Sequence, residues 1–164
     1  MKIRIEKNPP ARLVCGLAAT PHGQAVIAVT GQKEICRIQA LEDQDIIAVV
    51  EHWQNEWPKT MFVLGPVPKS VARSNLLMIS TEVQARIWQE IMRIPRGQVA
   101  SYGEVAARAG FPRAARAVGT ACRKTILGYL IPCHRVISAS GIGGYGRDGM
   151  AEKRRLLAEE GVFL

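Results

Sequence analysis

Three helix boundaries follow one another between residues 80 and 123, and they limit this chain more than any other feature does. Thr81 stands three residues before Gln84, and Ser101 three before Glu104. Each is the spacing of a capping box, in which hydroxyl and acyl side chains satisfy the orphan donors of a first helical turn. The first helix is predicted to present Val83, Ile87, Ile91 and Ile94 on one face until Pro95 stops it. The second, "SYGEVAARAG", is short, and Gly110 supplies its stop. Pro112 suits the first position of a third helix running to about Cys122. Two short helices joined across a glycine turn make a helix-turn-helix.

The preceding half follows a different period. "RLVCGLAAT", "AVIAVT" and "EICRIQAL" are apolar or β-branched runs separated by "PHGQ" and "GQK", as hairpins require. A helix is expected over 43–55, where Ile46, Ile47, Val49, Val50 and Trp53 recur at helical spacing. "LGPVPKSVARS", 64–74, has two prolines, a glycine and no period, and reads as a linker. The expected class is α/β in two small domains. Residues 1–74 would hold an antiparallel sheet with a helix plus the linker, and residues 75–164 the helix-turn-helix.

The 164 residues are 48% hydrophobic, enough for a core without covalent staples. No 18-residue apolar run exists to cross a membrane, and "MKIRIEKNPP" lacks a secretory h-region, so a cytoplasmic location is expected. Four cysteines (15, 36, 122, 133) without CxxC pairing should be free thiols in a reducing compartment. Residues 1–80 carry nine Lys/Arg against seven Asp/Glu, whereas 81–164 carry thirteen against seven. A basic second half suits a polyanion, nucleic acid first. A solvated basic surface would show the same balance.

The third helix sharpens that choice. Arg113, Arg116, Thr120 and Arg123 are spaced to share one face, and beside them Ala115, Ala117 and Gly119 have almost no side chain. A helix so built can approach a phosphate backbone or groove closely. A tightly packed helix with a wet arginine face has the same pattern.

"LIPCHRV", 130–136, places a thiol, an imidazole and a guanidinium in consecutive positions. Cys133 reads as a core cysteine, a metal ligand or a nucleophile. Adjacent Cys133 and His134 have no second ligand pair at finger or ribbon spacing, and Cys15, His22 and Cys36 are the other thiol and imidazole groups that could gather. No metal or cofactor is expected. For the nucleophile, Pro132 should keep "ILGYLI" extended up to an accessible thiol, with His134 and Arg135 favouring the thiolate. Glu152, Glu159 and Glu160 are the carboxylates that could hold the imidazole, and spacing alone leaves all three open.

"IPCHRV" at 131–136, "RAVGTAC" at 116–122, "GQVASYGEVA" at 97–106 and "EKRRLLAEEG" at 152–161 together resemble the O6-alkylguanine-DNA alkyltransferases. The resemblance covers about residues 80–161. It implies a winged-helix-like second domain that flips alkylated guanine out of double-stranded DNA. The alkyl group would pass irreversibly to Cys133, in a cofactor-free monomer that acts once. It further implies His134 as general base, Glu160 as the carboxylate orienting it, and Tyr102 as the residue that turns the target nucleotide and protonates the departing guanine. Arg116 would be the finger that fills the vacated stack. Ala115, Ala117 and Gly119, with Arg113 and Arg123, would form the DNA face. Tyr102, Val136 and Tyr145 would line the base pocket, and Lys153 would lie near the active-site backbone. Two departures stand out: Thr125 replaces an asparagine that braces the site, and Tyr145 comes one residue early. A damage sensor that binds DNA without transfer, or a cysteine hydrolase, are the rival readings.

Overall fold

The computed structural model describes residues 3–21, 23–41, 44–71, 74–144 and 149–164. It divides into two compact units, Met1–Thr81 with Ile126–Tyr129, and Glu82–Thr125 with Leu130–Leu164. The first unit thus extends past the expected boundary at 74 and takes back a short later segment. Ile38 N–H donates to Ile126 O at 2.9 Å there.

In the first unit, β1 (Ile3–Glu6) precedes β2 (Arg12–Thr20), β3 (Gly23–Val29) and β4 (Ile35–Ala40), and β2, β3 and β4 form the expected antiparallel meander. Asp45 caps α1 (Ile46–Glu56), accepting from Ala48 N–H at 2.8 Å. β5 (Met61–Leu64) and β6 (Leu76–Ile79) follow. The sheet order is β1-β6-β4-β3-β2-β5. It is mixed rather than antiparallel, because β5 joins β2, and β6 joins both β4 and β1, in parallel. Parallel neighbours need a crossover, which the segment containing α1 supplies. Strict alternation along β2 and β3 turns Leu13, Cys15, Val26 and Ala28 toward α1, where Val49 and Trp53 complete a core with Cys36 and Leu77.

The stretch read as a linker is not loose. Gly65 N–H donates to Cys15 O at 3.0 Å and Ala19 N–H to Lys69 O at 2.8 Å, so the chain runs along β2. Gly16 makes that approach possible, since a Cβ there would lie 2.8 Å from Gly65 O and from a Val67 methyl. The prolines lack donors, but Gly65 N–H and the Lys69 carbonyl are free to bond to β2.

The second unit contains α2 (Glu82–Met92), β7 (Ala100–Ser101), α3 (Tyr102–Arg108), α4 (Ala115–Arg123), β8 (Val136–Ile137) and α5 (Gly149–Glu159). On α2 the buried stripe is Ala85, Ile87, Trp88 and Ile91, leaving Val83 exposed on the first turn. The capping box at α3 is complete: Ser101 Oγ accepts from Glu104 N–H and Glu104 accepts from Ser101 N–H at 2.7 Å. α4 starts at Ala115, not Pro112, because Arg113 takes φ +73°, a left-handed conformation that no right-handed helix contains. "ILGYLI" is also not extended. A 3-10 turn occupies Gly128–Leu130, and Pro132 at φ −75°, ψ 66° reverses the chain, with Cys133 N–H donating to Ile131 O at 2.7 Å. No described helix is long and apolar enough to cross a membrane.

Candidate active site

The reversal at Pro132 decides where the thiol goes. It is followed by a 3-10 turn, Cys133–Arg135, that tucks Cys133 inward at 7% exposure. The open thiol expected from sequence is therefore a nearly buried one. β8 then pairs in parallel with β7, Ala100 opposite Val136 and Ser101 opposite Ile137. That short ladder brings the start of α3, and hence Tyr102, beside the turn that carries the sulfur.

Glu160, just past α5, is the hub behind the turn. Its Oε1 lies 2.9 Å from His134 Nε2, and its carboxylate accepts from Arg135 Nε at 3.0 Å and Nη2 at 2.8 Å and from Gly97 N–H at 3.1 Å. Burial opposes ionisation of this carboxyl, but the Arg135 guanidinium, His134 and the Gly97 amide outweigh it and hold it at about 2. Gly97 sits at φ +77°, and a Cβ there would come within 3.2 Å of Glu160 O. Among the three candidate carboxylates only Glu160 reaches the imidazole; Glu152 and Glu159 both pair with Arg155. Arg135 also donates to Ile94 O at 2.7 Å, fastening the end of α2 to the same hub. Its guanidinium is thus spent on Glu160 and does not serve the thiol as the sequence suggested.

The cation that does influence the sulfur comes from α5. Lys153 is fully buried, and its Nζ donates to Val136 O at 2.6 Å and Gly144 O at 3.3 Å. Burial lowers its ammonium to about 8. Nζ also lies 5.9 Å from the centre of the Tyr102 ring. Tyr102 donates its hydroxyl to Gly144 O at 3.2 Å; burial, then the nearby sulfurs of Cys122 and Cys133, raise its pKa and keep it a donor.

A second thiol stands beside the first. Cys122, on the last turn of α4, and Cys133 influence each other's ionisation. The two titrate as a pair. The first proton leaves below the ordinary thiol range under the influence of the partner thiol, to which the Lys153 ammonium adds. The second is held well above it by the partner thiol and by burial.

α4 turns Val118 and Ala121 inward, and Trp88 Nε1 donates to Ala121 O at 3.0 Å to pin its end. Arg116 and Arg123 are exposed with Gly119 between them, and Ala115 and Ala117 are half-buried. A Cβ at Gly119 would meet only Tyr102 Cε1 at 3.9 Å and Arg123 at 4.0 Å, so nothing inside the protein forbids a side chain there. Arg113 is exposed in the turn before α4 and does not share the helix face.

The family model for the 6-O-methylguanine DNA methyltransferase DNA-binding domain matches residues 82–162. Residues 82–162 thus form a domain of this family. A Mycobacterium leprae methylated-DNA–protein-cysteine methyltransferase is 48% identical over 84 residues, 51% of this chain and 50% of that one. A Lodderomyces elongisporus protein of the same name is 33% identical over 77% of this chain and 58% of its own. These matches span about half the length of the curated relatives. The Mycobacterium tuberculosis O6-methylguanine methyltransferase structure is similar over 90% of this chain and 92% of that one, with TM-score 0.68 and 29% identity. A second Mycobacterium tuberculosis structure, solved in complex with DNA, gives 0.66 and 27%.

Within this alkyltransferase framework, Cys133, His134, Glu160, Tyr102 and Lys153 converge, and Val136 joins them with a buried side chain and a carbonyl bound to Lys153. Thr125 lies half-buried just beyond α4. Tyr145 falls outside the described residues. Cys122 was missed as a site residue, although its place four residues after Val118 puts it on the inward side of α4. The structural role of Arg135 had no sequence signal, because its partner is 25 residues away. Among the described residues no cluster of His, Cys, Asp or Glu could hold a metal; His22 lies outside them, while Cys15 and Cys36 are core residues.

Proposed function

We propose that the protein repairs alkylated guanine in double-stranded DNA by taking the alkyl group from the exocyclic oxygen onto Cys133, once per molecule. The supporting observation is the conjunction at one turn of Cys133, the His134–Glu160 pair at 2.9 Å and the Tyr102 hydroxyl. His134, oriented by Glu160, receives the thiol proton. The sulfur lone pair then attacks the alkyl carbon in line as the carbon–oxygen bond breaks. The electrons of that bond go to guanine, which Tyr102 protonates as it leaves. Displacement at an sp3 carbon needs no oxyanion hole, and the thioether has no easy return to thiol.

A nearly buried sulfur is out of reach of a base stacked in a duplex, so the target nucleotide must swing out. The exposed Arg116 suits the vacated stack, and Gly119 with the flanking alanines lets a groove come close to α4. The expected monomeric state and cytoplasmic location go with this reading. Low exposure of Cys133 also suits a sensor that binds damage without transfer.

One experiment decides between them. The protein is incubated with a duplex holding one O6-methylguanine, digested, and the Cys133 peptide weighed. One added methyl, absent in Cys133→Ser, is the expected result; DNA binding with no adduct in the wild type would refute transfer. Arg116→Ala should slow transfer from duplex far more than from the free base, and added salt should weaken duplex binding.

A further inference from the structure

The sheet of the first unit ends at β5, which pairs with β2 on one side and has no described strand on the other. Met61 N–H donates to Ala11 O at 2.8 Å and Gly65 N–H to Cys15 O at 3.0 Å, so those positions face β2. By alternation, Phe62 and Leu64 turn their N–H and C=O groups away from the sheet. The side chains along this edge are apolar and open. Met61 is 61% exposed and Leu64 49%, and Leu17, two residues along β2 from the Cys15 that faces Leu64, is 44% exposed. Charge brackets them. Arg12 stands opposite Met61, Lys59 precedes it by two residues, and Lys69 lies where the chain runs on along β2. All three are exposed and without an ion-pair partner among the described residues. Neither β2 nor residues 57–71 contain an aspartate or glutamate.

We propose that this edge takes up an extended segment of a partner protein, apolar in its middle and acidic at both ends, as an added strand. Phe62 and Leu64 supply the ladder, Met61, Leu64 and Leu17 meet the segment's apolar side chains, and the three cations meet carboxylates at its ends. Pro66 and Pro68 follow Leu64 and bring no donors, so the ladder is short and charge sets the choice of partner. Eight extended residues span about 26 Å, the same number of steps that lead from Met61 to Lys69. A second copy of the chain is a poor occupant. Antiparallel pairing of two β5 strands about a twofold would set Lys69 of one copy toward the Arg12 and Lys59 end of the other, like charge on like. A nucleic acid would meet the cations but leave the apolar side chains without a use.

The full chain is titrated into a fluorescein-labelled peptide of two glutamates, four alternating valines and isoleucines, and two glutamates. Anisotropy at low salt should give a Kd below about 100 µM, and the Phe62 and Leu64 amides should exchange more slowly with deuterium once the peptide is bound. The double variant Lys59→Glu, Lys69→Glu, with its melting temperature unchanged, should bind this peptide at least about tenfold more weakly. It should gain affinity for a peptide in which lysines replace the glutamates. No binding at about 1 mM peptide, equal affinity in the charge-reversed variant, or protection confined to other amides would overturn the proposal. So would a dimer of the chain alone with these amides protected, which would give the edge to a second copy. Protection of the same amides by undamaged duplex would give it to nucleic acid instead.

Discussion

Two pairs of free cysteines, one in each unit, live under different physics. Cys15 and Cys36 lie in the sheet core beneath α1, and burial pushes each to about 12, with Arg37 too weak to offset it. Arg37 is itself occupied. It lies 5.0 Å from the Trp53 ring and 4.5 Å from Trp57, and it pairs with Glu56, while its Nε and Nη1 find no hydrogen-bond partner. Cys122 and Cys133 are also near a buried cation, but there the largest influence on each is the other thiol. Burial beside a positive charge is common to both pairs. What separates them is the neighbouring thiol, which outweighs burial as an influence on each sulfur of the second pair.

The largest expected effect breaks the comparison outright. Cys133→Ser should abolish methyl transfer, whereas Cys36→Ala should leave its rate intact and lower only the melting temperature. Thiol labelling at about pH 8 should modify Cys122 or Cys133 well before Cys15 or Cys36. A pKa near 12 leaves roughly one molecule in ten thousand as thiolate there. Labelling in the reverse order would erase the distinction.

Glu160→Gln comes next. Losing the carboxylate that orients His134 should slow transfer by about 10²–10³-fold in single-turnover assays. Its folded carboxyl titrates near 2 against an ordinary 4.5, so the unfolded chain takes up that proton first as pH falls. The stability it supplies is full above about pH 5 and drains away toward pH 2, on the order of 3 kcal/mol. Acid denaturation of the Gln variant should lack this component.

Lys153→Met should lower transfer at about pH 7 roughly tenfold and move its pH profile to the alkaline side, because the pair loses its ammonium. Folded Lys153 gives up its proton near 8 and the unfolded residue near 10.5. Between those values the unfolded chain binds more protons, so wild-type stability should rise with pH there, and the Met variant should not follow. Denaturation midpoints at about pH 7 and about pH 10 supply the check.

The smallest effect is Gly119→Ala. With no atom closer than 3.9 Å to the new methyl, α4 should gain about 0.5–1 kcal/mol, while duplex binding weakens a fewfold. Stabilisation with unchanged DNA affinity would remove Gly119 from the DNA face.

Local signals were the legible ones. The Ser101–Glu104 box and the three hairpin strands depend on neighbours a few positions apart, and they appear as read, except that β3 starts at Gly23, inside the stretch read as a turn. β1, β5 and β6 are four residues each and owe their pairing to strands far along the chain, so no period announced them. Pro112 suits a helix start by its own chemistry, but Arg113 after it takes a left-handed turn that its side chain does not announce. At the site, family motifs named Cys133, His134 and Glu160, whereas the burial of the sulfur, the influence of Cys122 on it and the engagement of Arg135 emerge only when distant segments meet.

The ladder between β7 and β8 is just two residues long on each side, yet it holds Tyr102 against the thiol turn. So brief a pairing opens far more readily than the core sheet. Deuterium uptake at the backbone amides of residues 100–101 and 136–137 should therefore clock how often Tyr102 and the Cys133 turn part, with no DNA present.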